Sequence, residues 1–162
     1  MKNFVNLLSC ISPDEIISIL SQERDVVVII DSKVKKLYGN YFPYTQIEVE
    51  ANESNKSLET VSTIAGQLME LGTDRDSFIL AVGGGITTDI AGFIASIYFR
   101  GLRFAFVPTT LLSQVDASIG GKNGVNTKGY KNILGTITQP AFILLSPIFL
   151  QSLPINQFLE GI

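Results

Sequence analysis

The sequence predicts an α/β fold, a Rossmann-like and mostly parallel sheet flanked by helices. Three observations predict it. Short apolar runs rich in β-branched residues recur along the chain, VVVII at residues 26–30 being the clearest, and such runs fit strands buried on both faces. Helical patterns alternate with these runs, which is the signature of parallel strands joined by crossover helices. Three glycines, Gly83, Gly84 and Gly85, separate one such strand from the helix behind it, where a ligand can approach the backbone closely.

In chain order, residues 4–10 form the first expected strand. Ser12 is a suitable N-cap, Pro13 fits the first helical position, and Glu15 completes a capping box. Ile16, Ile17, Ile19 and Leu20 give that helix its buried face. The strand at 26–30 ends at Asp31 and Ser32, and a short helix through Val34 and Leu37 follows. Residues 45–49 alternate weakly as a strand, and residues 53–56 read as a polar loop. From Ser57 onward, Leu58, Val61, Ile64, Ala65, Leu68, Met69 and Leu71 recur at helical steps, with Leu68 and Met69 expected in the core. Gly72 supplies a C-terminal cap. A strand at 78–82 leads into the glycines, and the helix behind them carries Ile90, Ala91, Phe93, Ile94 and Ile97 before ending at Arg100 and Gly101. A strand at 103–107 stops at Pro108. Residues 111–119 read as helical, broken by Gly120 and Gly121 just before Lys122. Residues 141–145 form the last strand, followed by a helical turn from Ser146 and a helix starting near Leu153.

With 162 residues, 46% of them hydrophobic and 17% charged, the chain has the length of one ordinary domain. No apolar run approaches the ~20 residues that span a bilayer. The first residues carry no basic segment leading into a long apolar core. The expectation is a soluble, cytoplasmic protein without a membrane partner. Cys10 is the single cysteine, so no disulfide forms within the chain, and it is expected to pack as a small apolar residue. A net charge of −3 argues against a nucleic-acid partner. Basic residues do gather at Arg100, Arg103, Lys122, Lys128 and Lys131, and from residue 90 onward only Asp116 and Glu160 are acidic. A solvated basic face and a site for a small phosphorylated or carboxylated anion both fit this pattern. The absence of histidine removes a histidine base and histidine metal ligands from this chain.

Two elements should converge on the C-terminal edge of the sheet, where open α/β sheets bind ligands. The turn at residues 83–89 opens a helix, whose unpaired N–H groups suit a dinucleotide pyrophosphate. Its spacing departs from G-x-G-x-x-G, because Thr87, Thr88 and Asp89 replace further glycines. The second element, residues 109–131, contains Thr109, Thr110, Asp116 and Lys122. Asp116 is placed to meet cofactor hydroxyls, or is a helix-surface carboxylate. Lys122, Lys131 and Asn132 are placed to hold a substrate phosphate or hydroxyls, or are solvated. Asp31 either meets a nucleotide ribose or caps the next helix.

The string VPTTLLSQVDASIGGKNGVN, with GGGITTDIAGFIASIYFRG before it and YKNILGTITQP after it, resembles the 3-dehydroquinate synthase family. The resemblance covers residues 26–161 and is to the family's N-terminal, NAD-binding domain. It implies NAD as cofactor and a divalent metal, usually zinc, whose ligands would lie in an all-helical second domain beyond Ile162. It implies a phosphorylated seven-carbon sugar acid as substrate, 3-dehydroquinate and phosphate as products, a place in the shikimate pathway, and a homodimer. By position, Asp31, Ser32, Lys33, Glu53, Lys56, Gly83, Gly84, Gly85, Asp89, Thr109, Thr110, Asp116, Lys131, Phe149 and Ser152 match cofactor contacts. Arg100, Asp116, Lys122 and Asn132 match substrate-facing, catalytic positions. The sequence departs from the family pattern at Thr88, Asn123 and Thr127, where Gly, Thr and His are usual. A sugar phosphate cyclase of secondary metabolism and a non-catalytic nucleotide-binding module are the alternatives.

Overall fold

The computed structural model describes residues 5–162, so the Phe4 end of the first expected strand lies outside the described residues. Six strands form one parallel sheet: β1 (Leu7–Ser9), β2 (Val26–Asp31), β3 (Thr45–Val49), β4 (Phe78–Gly83), β5 (Arg103–Pro108) and, last in the chain, β8 (Ile143–Leu145). Their order across the sheet is β1-β8-β5-β4-β2-β3. The helices are α1 (Pro13–Leu20), α2 (Ser32–Tyr38), α3 (Leu58–Glu70), α4 (Gly85–Ile97) and the short α5 (Ile155–Leu159).

The central strands are buried on both faces, as their unbroken apolar runs require. Val27, Ile29, Ile79, Ala81, Phe104 and Phe106 face α3 and α4, where Val61, Ile64, Leu68, Ile90 and Ile94 meet them. Their strand neighbours Val28, Ile30, Leu80, Val82 and Val107 point the other way and meet Ile16, Leu20, Phe42 and Phe149. The two-residue period of the strands thus divides the core into two layers. The face of α3 is narrower than its spacing suggested. Leu68 is fully buried, but Met69, expected in the core, is 64% exposed, and Leu58 and Leu71 also reach solvent. At the start of α1, Ser12 accepts the Glu15 N–H, while the Glu15 carboxylate accepts from Ile11 N–H rather than from Ser12.

The main departure from expectation is an antiparallel hairpin, β6 (Lys122–Thr127) and β7 (Tyr130–Ile137), in a stretch without an expected element. Lys128 and Gly129 make its turn with φ of 48° and 80°. Positive φ at both central residues matches the twist of the flanking strands. Polar residues along β6 and β7 hid the alternation. The hairpin packs on α4, where the side chain of Asn123 sits in the space left by Gly92. Among the described residues, no helix is long and apolar enough to cross a membrane.

Candidate functional site

Parallel strands bring their C-terminal ends to one edge, and the loops after β2, β4, β5 and β8 meet there. Thr109 N–H donates to the Gly83 carbonyl at 2.9 Å, which ties the loop after β5 to the glycine turn. The Gln114 amide donates to the Pro108 and Ser146 carbonyls, at 3.1 and 3.0 Å, and so ties the β5 and β8 loops together. Residues Ser113–Ala117 form a π-turn, a local irregularity common at functional sites.

The glycines act by closeness rather than by unusual φ. A Cβ on Gly83 would lie 2.6 Å from Thr87, and one on Gly84 would lie 3.0 Å from the Thr110 methyl. No side chain caps α4, so its first N–H groups and the positive end of its dipole face the loop edge. Beside them lies a cavity of about 340 Å³ lined by residues that include Asp31, Lys33, Gly84, Thr110, Phe149 and Ser152. This cradle, with backbone donors at one end and an apolar wall at the other, fits a nucleotide. Asp31 takes the capping role and also borders the cavity. Its Oδ1 caps α2 by accepting from Lys33 and Val34 N–H, and its side chain lines the cavity. Thr88 leaves the turn undisturbed, because its hydroxyl donates to the Gly85 carbonyl at 3.1 Å.

A second constellation lies one turn further along α4. Lys56, placed in a polar loop by the sequence, is buried, and its Nζ donates to Asp89 Oδ2 at 2.5 Å and to Asn132 Oδ1 at 2.6 Å. Burial pushes the Asp89 carboxyl up, against the pull of the Lys56 ammonium. Glu53 accepts from the Asn126 amide, which chiefly holds its carboxyl below the usual range, and its pairing with Lys131 at 3.4 Å adds to this. Asp89, Lys122 and Asn132 share a cavity of about 430 Å³ between the hairpin and α4.

The structure therefore divides the expected site residues. Asp31, Lys33, Gly84, Gly85, Thr109, Thr110, Phe149 and Ser152 line the first cavity, with Ser32 and Gly83 next to it in the chain. Asp89, matched to the pyrophosphate region, instead faces Lys56 and the hairpin. Glu53, Lys56 and Lys131 line a separate recess of about 550 Å³. Asp116 is exposed on the π-turn. Arg100 stands at the opposite end of α4, about 20 Å of helix from the glycines, next to the start of β5. The basic residues do not form one patch: Arg103 pairs with Glu23 at 2.7 Å at the other sheet edge, whereas Lys122, Lys128 and Lys131 belong to the hairpin. Sequence reasoning missed Tyr38 and Asn126. The Tyr38 hydroxyl donates to Ser152 at 2.8 Å beside the first cavity, and only the tertiary fold brings the two together.

No group of three potential metal ligands exists among the described residues, and the chain has no histidine. These residues do not make a metal centre.

Residues 46–160 match a family model described as 3-dehydroquinate synthase N-terminal. The 3-dehydroquinate synthase of Enterococcus faecalis is 45% identical over 152 residues, which is 88% of this chain and 42% of that protein. The chain thus spans about two-fifths of the length of the curated relatives it matches. Among solved structures, the 2-epi-5-epi-valiolone synthase of Streptomyces hygroscopicus, with NAD+ and Zn2+ bound, superposes with a TM-score of 0.89 at 30% identity, covering 99% of this chain and 48% of that one. A 2-deoxy-scyllo-inosose synthase complexed with carbaglucose-6-phosphate, NAD+ and Co2+ gives a TM-score of 0.85 at 27% identity, covering 97% and 46%.

Proposed function

The chain belongs to the 3-dehydroquinate synthase family, through that family's N-terminal domain, and from this we propose that it is the cofactor-holding part of a 3-dehydroquinate synthase. The whole enzyme is a phosphate-eliminating carbon–oxygen lyase of the shikimate pathway. It converts a seven-carbon 2-keto-3-deoxy sugar acid 7-phosphate to 3-dehydroquinate and phosphate. The observation that carries this reading is the pair of cavities flanking the first two turns of α4, one built for a nucleotide and one lined with polar groups.

Bound NAD supplies a reversible hydride acceptor. The residues of this chain bind and orient. The N-terminus of α4 and the glycine turn receive the pyrophosphate, with Thr109 and Thr110 beside it. Asp31, Phe149 and Ser152 hold the adenosine end. Asp89, held by Lys56, faces the nicotinamide end together with Glu53 and Lys131. Lys122 and Asn132 line the second cavity, where an ammonium and an amide suit a substrate's phosphate or hydroxyl oxygens. Asp116 is solvent-exposed on the π-turn that precedes Lys122 in the chain. Arg100 lies past the far end of α4 and does not line the second cavity.

The metal belongs to a second domain outside these residues, so the chain alone binds NAD weakly and turns nothing over. The complete enzyme is a cytoplasmic homodimer. The test is phosphate release from the seven-carbon substrate by the full natural polypeptide with zinc, with and without added NAD. NAD-stimulated release by the full polypeptide, and none by this chain, is expected. Steady turnover by the 162-residue chain would overturn its inactivity alone, and a full polypeptide that binds NAD but releases no phosphate would point instead to another sugar phosphate cyclase or a binding module.

A further inference from the structure

We infer that Asn126 is a positioning residue that locks the polar network of the second cavity into register; this rests on the cofactor-domain reading above. The β6–β7 ladder breaks at this residue. Val125 pairs with Leu134 and Thr127 pairs with Tyr130, so Asn126 faces the bulged stretch of Lys131, Asn132 and Ile133. Bulges of this kind re-aim side chains beside active sites. Here Asn132 takes a left-handed φ of 54°, a conformation that persists only where its surroundings hold it.

Asn126 provides the hold from several directions. Its Oδ1 accepts the Asn132 backbone N–H at 2.9 Å. Its Nδ2 donates to Glu53 Oε1 at 2.9 Å and to the Glu53 carbonyl at 3.4 Å. Its own N–H donates to the Lys56 carbonyl at 2.8 Å. The residues so fixed are those that meet the buried ammonium and its neighbours: Asn132 on Lys56, Lys56 on Asp89, and Glu53 on Lys131. The side chain must both accept and donate, at a fixed separation. Asparagine does so without charge. Alanine does neither, and aspartate accepts but sets a carboxylate against Glu53. The charged groups around this point are Glu53 and Lys131, with Lys56 and Asp89 behind them.

The test is steady-state phosphate release by the full natural polypeptide carrying Asn126→Ala, Asn126→Asp and Asn132→Ala, with hydrogen exchange at the Asn132 amide measured alongside. Asn126→Ala is expected to lower kcat roughly 10–100-fold, with KM moving far less, because misplacement rather than lost contact is the defect. Added to Asn132→Ala it should lower kcat little further, since it acts through that residue. Asn126→Asp should recover as the pH falls, when a shared proton restores a donor toward Glu53. Wild-type kcat in Asn126→Ala, additive losses, or an Asn126→Asp variant without pH-dependent recovery would overturn the assignment. If the wild type itself releases no phosphate, the enzyme reading fails. The exchange data then decide alone: unchanged protection of the Asn132 amide in Asn126→Ala overturns the assignment, and lost protection sustains it.

Discussion

The two cavities beside α4 are built from different materials. The first is made by backbone: glycines that bring a turn against Thr87 and Thr110, an uncapped helix end, and strand ends fixed by a six-stranded sheet. The second is made by side chains, in which a buried lysine, a carboxylate and amides from three elements hold one another across a two-stranded hairpin. A backbone site depends on space and tolerates changes in charge. A side-chain site depends on completed pairing, so one deletion leaves a buried group without its partner.

The largest expected effect follows from that contrast. Lys56→Met leaves Asp89 half-buried and unpaired, and should lower the unfolding free energy by about 3 kcal/mol at neutral pH, the scale of a broken buried pair. The sign with pH is definite. Burial already pushes the Asp89 carboxyl up, and losing the ammonium pushes it further. The folded state then holds the proton more tightly than the unfolded one, so the deficit grows as pH rises above about 4 and shrinks below it. Denaturant unfolding at a series of pH values measures this, and a deficit independent of pH would break the account. Adding Asp89→Asn should return much of the loss.

A smaller effect on stability, but a larger one on ligand, is expected at Gly84. Valine there crowds Thr110 and covers the opening of α4. NAD and AMP should both bind about tenfold or more weakly, a loss on the scale of one charge-assisted hydrogen bond, while the melting temperature moves little. Calorimetric titration separates the two. The smallest effect concerns Cys10, which is buried with its thiol pushed up, chiefly by burial. Iodoacetamide should leave it unlabelled in the native protein and label it on unfolding. Rapid native labelling would show that the α1 side of the sheet opens.

The same contrast explains how much could be read from the sequence. The sheet, its helices and the glycine turn were legible because each is encoded locally, by apolar periodicity and turn residues. VVVII became β2, and Gly83 to Gly85 became the opening of α4. The hairpin was not legible, because its strands carry Lys122, Asn123, Asn126, Lys131 and Asn132 where apolar alternation would have marked them. Lys56 looked like an exposed loop lysine for a related reason. Its burial is created by Asp89 and Asn132, which are distant in sequence and adjacent only after folding. The resemblance to a family named candidate residues, but it gave no account of how they divide between two cavities or why Arg100 lies past the far end of α4.

The central proposal is that the first cavity receives the adenosine end of NAD and the Lys56–Asp89 pair faces its nicotinamide end, beside the cavity for the substrate. It is tested most directly by titrating NAD and AMP, in parallel, into the full natural polypeptide with and without Lys56→Met. The account predicts that NAD affinity falls about tenfold or more, the scale of a lost charge-assisted contact, while AMP affinity is unchanged, since AMP occupies only the glycine side. Equal weakening of both ligands, or unchanged binding of NAD, would contradict it.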